Sequence, residues 1–295
     1  MNPPPRISIV TPSYNQGEFI EATIDSILSQ GYPNLEYIII DGGSTDQSVE
    51  IIKKYAHHLA FWSSEKDHGQ YDAINKGFSR ATGEIMAWLN SDDMYFPWTF
   101  RVVSSIMAEF SQVEWITTLQ QGWWDWYGMP LGFAGVAGFS RQAFLDGCYL
   151  PGKSLRPLGW IQQESTFWRR SLWNTIGASI STEFNAAGDF DLWSRFYART
   201  DLYGVQSPLA GFRFQAAQKT THTENYISEA EKALNRFRTQ SGWTPAGGAT
   251  SMLQKTAARI PLLRRSARAA YTGKRISRVN VNGPEAAWQI SEAPF

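Results

Sequence analysis

The sequence predicts an α/β protein whose mainly parallel sheet is flanked by helices. Three observations predict it. Four short apolar runs alternate with stretches of helical spacing over the first 95 residues. The runs are nearly continuous rather than alternating, as strands buried on both faces require. Each run stops at a polar cluster, and in a parallel sheet those clusters share the edge where open α/β folds bind ligands.

Residues 6–10 (RISIV) read as the first strand. Residues 18–30 are helical, with Phe19, Ile20, Thr23, Ile24, Ile27 and Leu28 on one face, and Gly31-Tyr32-Pro33-Asn34 breaks the helix. Residues 35–40 (LEYIII) form the second strand. Ser44-Thr45-Asp46-Gln47 fits a capping box opening a helix to about Tyr55. Residues 59–62 make the third strand, residues 69–81 a helix stopped by Thr82-Gly83, and residues 84–89 the fourth strand. The alternation implies right-handed crossovers.

Beyond Asp93 the pattern loosens. Residues 97–110 are helical, with Pro97 where a first turn tolerates it. Residues 113–173 hold seven of the thirteen tryptophans and no clear period. Residues 189–200 (DFDLWSRFYART) form an amphipathic helix, residues 202–214 two short strands, and residues 224–240 a charged helix. A linker at 241–248 precedes a basic amphipathic stretch at 252–270, which Pro261 splits. The expected organisation is a ligand-binding half at 1–95, a second half of the same domain at 96–240, and a basic, helical C-terminal extension at 241–295.

Composition narrows the function. With 295 residues and 43% hydrophobic content the chain builds a large core. Lys+Arg and Asp+Glu both number 27, so overall charge points to no nucleic-acid partner. The start, MNPPPRISIV, has no apolar signal region, and no run is long enough to span a membrane. The single Cys148 fits a reducing cytosol, so a cytoplasmic location is expected. Charge is uneven: residues 232–284 contain eleven Lys or Arg and no acid. That basic tail either lies on an anionic membrane, stays in solvent or packs as a helix on the rest of the domain.

The chemistry concentrates at residues 85–95, IMAWLNSDDMY. Here a buried strand ends in Asp92 and Asp93. Adjacent carboxylates repel, so a cation beside them explains the pair; a solvated turn is the other reading. Further clusters follow the other strands: Thr11 to Asn15, Asp41 to Asp46, and Glu65 to Tyr71. No phosphate loop or dinucleotide fingerprint is present, and His and Cys are too scattered for zinc.

These motifs carry a resemblance. SIVTPSYNQGEFIEATIDSILSQGYPNLEYIIIDGGSTDQSVEII, EKDHGQYDAINKG and ATGEIMAWLNSDD resemble the family 2 glycosyltransferases of the GT-A, Rossmann-like fold. The resemblance is strong over residues 7–95 and continues through QQESTFWRRSLWNTIG and GDFDLWSRF to about Lys219. It implies transfer of a sugar from a nucleotide-diphosphate sugar to a sugar or lipid-linked acceptor hydroxyl, usually with inversion, in cell-surface polysaccharide or glycan assembly. The first half would then bind the donor, and the second would bind the acceptor and carry catalysis. By the same resemblance Pro12 and Tyr14 line the base pocket, Asp41 accepts a hydrogen bond from the base, and Asp72 lies around the nucleotide. Asp92 faces the ribose or a metal-bound water, and Asp93 coordinates Mn²⁺ or Mg²⁺ bridging the phosphates. Such hard cations suit carboxylate and phosphate oxygens, and stabilise a leaving diphosphate.

Inversion also needs a general base. The family places it in an acidic pair before an aromatic-rich helix, which here reads AGDFDLW, the Glu-Asp pair having become Gly188-Asp189. Asp189 keeps the base position; Asp191 and Glu164 are further candidates. A helix N-terminal carboxylate is the bland alternative for Asp189. Ser44 and Asp46 read as caps, and Gly42 and Gly43 as a turn close to the ligand. His68 reads as a phosphate contact or a surface histidine. The tryptophans read as core rather than sugar platforms. Arg213 and Lys219, with His222 nearby, are candidate diphosphate contacts. A nucleotidyltransferase and a non-catalytic sugar-binding protein are the competing functions.

Overall fold

The computed structural model describes residues 3–150, 157–215, 223–243, 271–280 and 286–295. The first half runs β1 (Ile7–Ser13), α1 (Ile20–Leu28), β2 (Leu35–Asp41), α2 (Ser48–Lys54), β3 (Phe61–Ser64), α3 (Gln70–Phe78) and β4 (Ile85–Trp88). All four strands are parallel, in the spatial order β4-β1-β2-β3. The alternation read from sequence is therefore present, with boundaries shifted by a few residues.

The second half adds β5 (Met94–Tyr95), α4 (Thr99–Glu109), β6 (Trp115–Thr118), β7 (Gln120–Trp124), β8 (Pro130–Gly135), α5 (Arg141–Leu145), β9 (Phe167–Arg169), α6 (Arg170–Thr175), α7 (Gly188–Tyr197), β10 (Tyr203–Val205), β11 (Ala210–Arg213) and α8 (Thr223–Gln240). Strand β9 enters antiparallel between β4 and β6, while β10 runs parallel to β6. Strands β5, β11, β7 and β8 form a separate small sheet. This small sheet carries the region where periodicity failed.

The C-terminal segment departs from expectation. Strands β12 (Thr272–Asn280) and β13 (Ala286–Pro294) form an antiparallel hairpin that extends the main sheet through β10, giving nine strands. Three basic residues of that tail are used here. Lys274 pairs with Asp201 at 3.0 Å, Arg275 donates to the Ala137 carbonyl, and Arg278 donates to the Ala286 carbonyl and lies over Trp288. The stretch 252–270, read as a basic helix, lies outside the described residues. Among the described residues no helix is long and apolar enough to cross a membrane.

Side chains alternate across the main sheet and divide the core in two. Ile7, Ile9, Tyr37 and Ile39 pack with Ile20, Ile24 and Phe100 on one face. Val10, Ile38, Ile40 and Trp88 pack with Ile74, Trp193 and Phe237 on the other. Trp88, Trp115 and Trp193 stack there, with ring centroids of 6.0 and 5.6 Å for the pairs sharing Trp193. Most of the tryptophans in 113–173 are thus core, as expected; Trp126 and Trp160 are the exposed ones. Trp193 is 1% exposed and holds α7 to the sheet, so Trp193→Ala is expected to cost about 3–5 kcal/mol, the range for emptying a buried aromatic site. Urea unfolding monitored by far-UV circular dichroism measures it.

Candidate active site

The carboxyl ends of the parallel strands meet at one edge. Ser13 is paired with Asp41, and Asp41 with Ser64, while β4 ends beside β1 just before Asn90. The first two loops are laced together. The Asn15 carboxamide oxygen accepts from the Thr45 amide at 2.8 Å, the Asn15 amide donates to Ser44 Oγ at 2.8 Å, and Asp46 Oδ2 accepts from the Gly17 amide at 2.8 Å. Asn15 adopts a left-handed φ of 52°, which its short polar side chain tolerates.

Several expected roles change in this edge. Ser44 does not cap α2: its hydroxyl donates to Asp41, and the helix starts at Ser48, whose amide donates to Asp46 Oδ1 at 3.0 Å. Asp41 is fully buried, and its oxygens accept from the Gly43 and Ser44 amides and the Ser44 and Ser64 hydroxyls. It holds its own turn: Oδ2 takes three of these bonds and Oδ1 the one from the Ser44 hydroxyl. Gly42 and Gly43 give room to the third loop: a Cβ on Gly42 would lie 2.8 Å from Asp67 Oδ2. Pro12 is buried within β1, whereas Tyr14 projects from the loop at 60% exposure. Asp72, in the first turn of α3, accepts from the His68 amide at 3.0 Å and pairs with Lys76 at 2.9 Å, which lowers its pKa.

Acidic groups line the other side of the edge. Asp93 is 1% exposed; Oδ1 accepts from the Arg213 amide at 3.0 Å and Oδ2 from the Asn90 carboxamide at 3.3 Å. Asp92 is only partly buried, and Gln215 donates to its Oδ2 at 2.7 Å. Glu164 sits in a 3-10 turn (Gln163–Ser165) before β9, 4% exposed, and its Oε1 has no hydrogen-bond partner among the described residues. Burial, with the charges of Asp92 and Asp189 adding to it, pushes the Glu164 carboxyl up to about 8. Burial and the charges of Asp92 and Glu164 hold Asp93 well above the ordinary carboxylate range. Burial also raises Asp92, opposed by Gln215 and the Arg213 charge. Arg213 comes from β11, which pairs with β5 directly after the acids.

Asp189 opens α7, partly exposed, with Oδ1 lacking a partner among the described residues. Burial pushes its carboxyl up to about 7. Asp191 is unsuited to proton transfer, which corrects the sequence expectation. Its Oδ2 accepts from Arg195 Nε at 2.9 Å, and Arg195 in turn donates to the Ile176 and Ser179 carbonyls, so the pair braces a loop. A cleft of about 680 Å³ opens beside this segment, lined by His68, Asp72, Asn185, Asn225, Ser228 and Glu229. Lys219 and His222 lie outside the described residues.

The donor set suits a hard divalent cation. It is made of oxygens, burial raises the pKa of its acids with Arg213 as a nearby positive charge, and Asp92 is only partly buried. Among the described residues no group of three or more acidic, His or Cys ligands surrounds one point. A cation here would take its remaining oxygens from the donor's phosphates and water.

Comparison with known proteins points to the same family over part of the chain. Residues 8–127 match Glycosyl transferase family 2. Over 244 residues the chain is 25% identical to an "uncharacterized glycosyltransferase" of Rickettsia prowazekii, covering 79% of this chain and 71% of that one. Residues 8–127 thus carry the likeness to family 2, and the protein is a glycosyltransferase. This glycosyltransferase is also 38% identical over 96 residues to the putative teichuronic acid biosynthesis glycosyltransferase TuaG of Bacillus subtilis, covering 31% of this chain and 37% of TuaG. Its fold matches S. aureus TarS 1-349 in complex with UDP-GlcNAc at TM-score 0.57 and 14% identity, covering 89% of this chain and 78% of that one. It also matches the mannosyltransferase PcManGT of Pyrobaculum calidifontis in complex with GDP-Man and Mn²⁺, at TM-score 0.52 and 17% identity, covering 90% and 83%. At such identities these likenesses establish the GT-A fold. The matched family segment holds Asp41, Asp92 and Asp93; Glu164 and Asp189 lie beyond it.

The glycosyltransferase site contains residues that sequence reading missed. Asn90 joins Asp93, Gln163 and Gln70. Gln215 bridges Asp92 and Gln16. Glu229 reaches the start of α7 from α8. Asn90 and Gln163 lie within the motifs that carry the resemblance but were given no role there, and nothing local marked Gln215 or Glu229.

Proposed function

We propose that this enzyme moves a sugar from a nucleotide-diphosphate sugar to an acceptor hydroxyl by single displacement with inversion, with a divalent cation at Asp92. The carrying observation is that Glu164 lies within electrostatic reach of both Asp92 and Asp189, with Asp92 linked through Gln215 to Gln16 in the loop after β1. Tyr14 offers an exposed ring at the rim for the base. Asp92 ranks ahead of Asp93 as the cation ligand because Asp93 is buried with both oxygens engaged. When bound, Mn²⁺ or Mg²⁺ supplies Lewis-acid stabilisation of the leaving diphosphate. Arg213 adds fixed positive charge beside the acids. Asp189 takes the acceptor proton as the acceptor oxygen bonds to the anomeric carbon and the bond to the diphosphate breaks. Glu164, held protonated by burial, adds no second charge at neutral pH.

Assembly of a cell-surface polysaccharide is the setting this reading takes, in line with the printed name of TuaG. Donors of the kinds bound by TarS and PcManGT, UDP-GlcNAc and GDP-Man, are the first to test, with Mn²⁺ present. Release of nucleoside diphosphate is expected, and with an acceptor an inverted anomeric centre seen by proton NMR. Pyrophosphate exchange, or a retained anomer, overturns the reading.

A further inference from the structure

The segment before Asp189 is held in an unusual way. Four consecutive backbone amides, Asn185 to Gly188, donate to side chains from other elements. Glu229 of α8 accepts from Asn185 at 3.0 Å, Ala186 at 2.8 Å and Ala187 at 2.9 Å. The Tyr71 hydroxyl of α3 accepts from the Gly188 amide at 2.9 Å and donates to the Ala186 carbonyl at 2.9 Å. Glu229 thus holds the three residues that lead into α7, up to its N-cap Ala187, and Tyr71 takes the amide of the first helical residue, one of those with no partner within the helix. Residue 188 itself has no room for a side chain, because a Cβ there would lie 2.7 Å from the Tyr71 ring.

The geometry points to Glu229 and Tyr71 as positioning residues that aim Asp189 at the reaction centre, doing from outside the helix what Gly188 cannot do from within it. This inference rests on Asp189 being the base. The groups facing Asp189 are Tyr71 from α3, Glu164 from the 3-10 turn, and Tyr226 and Glu229 from α8. Of these, Glu229 is the charge that adds to burial in raising the Asp189 carboxyl. Removing that charge makes Asp189 easier to ionise while loosening its aim. A structural role alone would not produce that pair of effects.

The test compares Glu229→Gln, Tyr71→Phe and Asp189→Asn, with Gln240→Ala at the exposed end of α8 as a control. Initial rates are measured against donor and acceptor from pH 5 to 9. Glu229→Gln and Tyr71→Phe are expected to lower kcat about 10- to 100-fold, the scale for sub-ångström to ångström misplacement. Donor KM stays near wild type, because the donor loops are untouched. In Glu229→Gln the acid limb of kcat/KM moves to lower pH. Wild-type kcat in Glu229→Gln and Tyr71→Phe, with Asp189→Asn inactive, overturns the positioning role alone. An active Asp189→Asn overturns both this inference and the base it rests on. Parallel loss of donor binding and kcat in both variants reduces the contacts to scaffolding and also overturns it. If Glu229→Gln fails to fold, Tyr71→Phe decides, since it removes one hydroxyl and keeps the ring.

Discussion

Asp189→Asn is expected to lower turnover about 10²- to 10⁴-fold, the range for losing general-base help. Asn is nearly isosteric, so the α7 start and its contacts with Glu229 and Tyr71 stay in place. Donor affinity should change little, because Asp189 stands apart from the loops of β1 and β2. The pH profile carries the sharper test. The Asp189 carboxyl is raised from the ordinary carboxylate range to about 7, first by burial and then by the Glu229 charge. A base works only when ionised, so kcat/KM for the acceptor should climb with pH, reach half its maximum near pH 7, and level above it. In Asp189→Asn that limb should vanish. A variant that keeps both turnover and limb would move the base to Glu164, whose buried Oε1 is the other unpartnered carboxyl oxygen along this edge among the described residues.

The first half of the fold was legible because its signals are local. Strands β1, β2 and β4 are buried on both faces, so they read as continuous apolar runs, and each ends in residues that cannot stay in a core. The second half was less legible because its strands are two to six residues long and most of its tryptophans serve the core regardless of element. Strands β12 and β13 escaped notice for a related reason. The β12 segment, TGKRISRVN, alternates weakly, and its basic residues suggested a surface when Lys274 and Arg275 in fact tie the hairpin to Asp201 and Ala137.

Site residues divide the same way. Asp92, Asp93 and Asp189 were visible as acids at element ends. What each acid does depended on partners far along the chain. Asp41 is absorbed by Ser44 and Ser64, Asp191 by Arg195, and Asp93 by Arg213. Glu229 is 42 or more residues from the amides it holds, and a surface-like charge in a charged helix gives no local sign of that.

Asp92→Ala is expected to abolish the metal dependence of donor binding and to cut turnover about 10³-fold. That scale follows from several kcal/mol of transition-state charge stabilisation at about 1.4 kcal/mol per tenfold. The fold should survive, because Asp92 is partly exposed and Gln215 is its hydrogen-bonding side chain among the described residues. Asp93→Ala makes the contrast. It empties a buried position and strands the Arg213 amide and the Asn90 carboxamide, so it should lower the melting temperature as well as the rate. Titration calorimetry with a nucleoside diphosphate, with and without Mn²⁺, separates the two. Asp92→Ala should bind the nucleotide equally weakly in both conditions. If Asp92→Ala keeps its Mn²⁺ enhancement while a folded Asp93→Ala loses it, the cation sits on Asp93. The buried acid is then the ligand, and Asp92 faces the ribose.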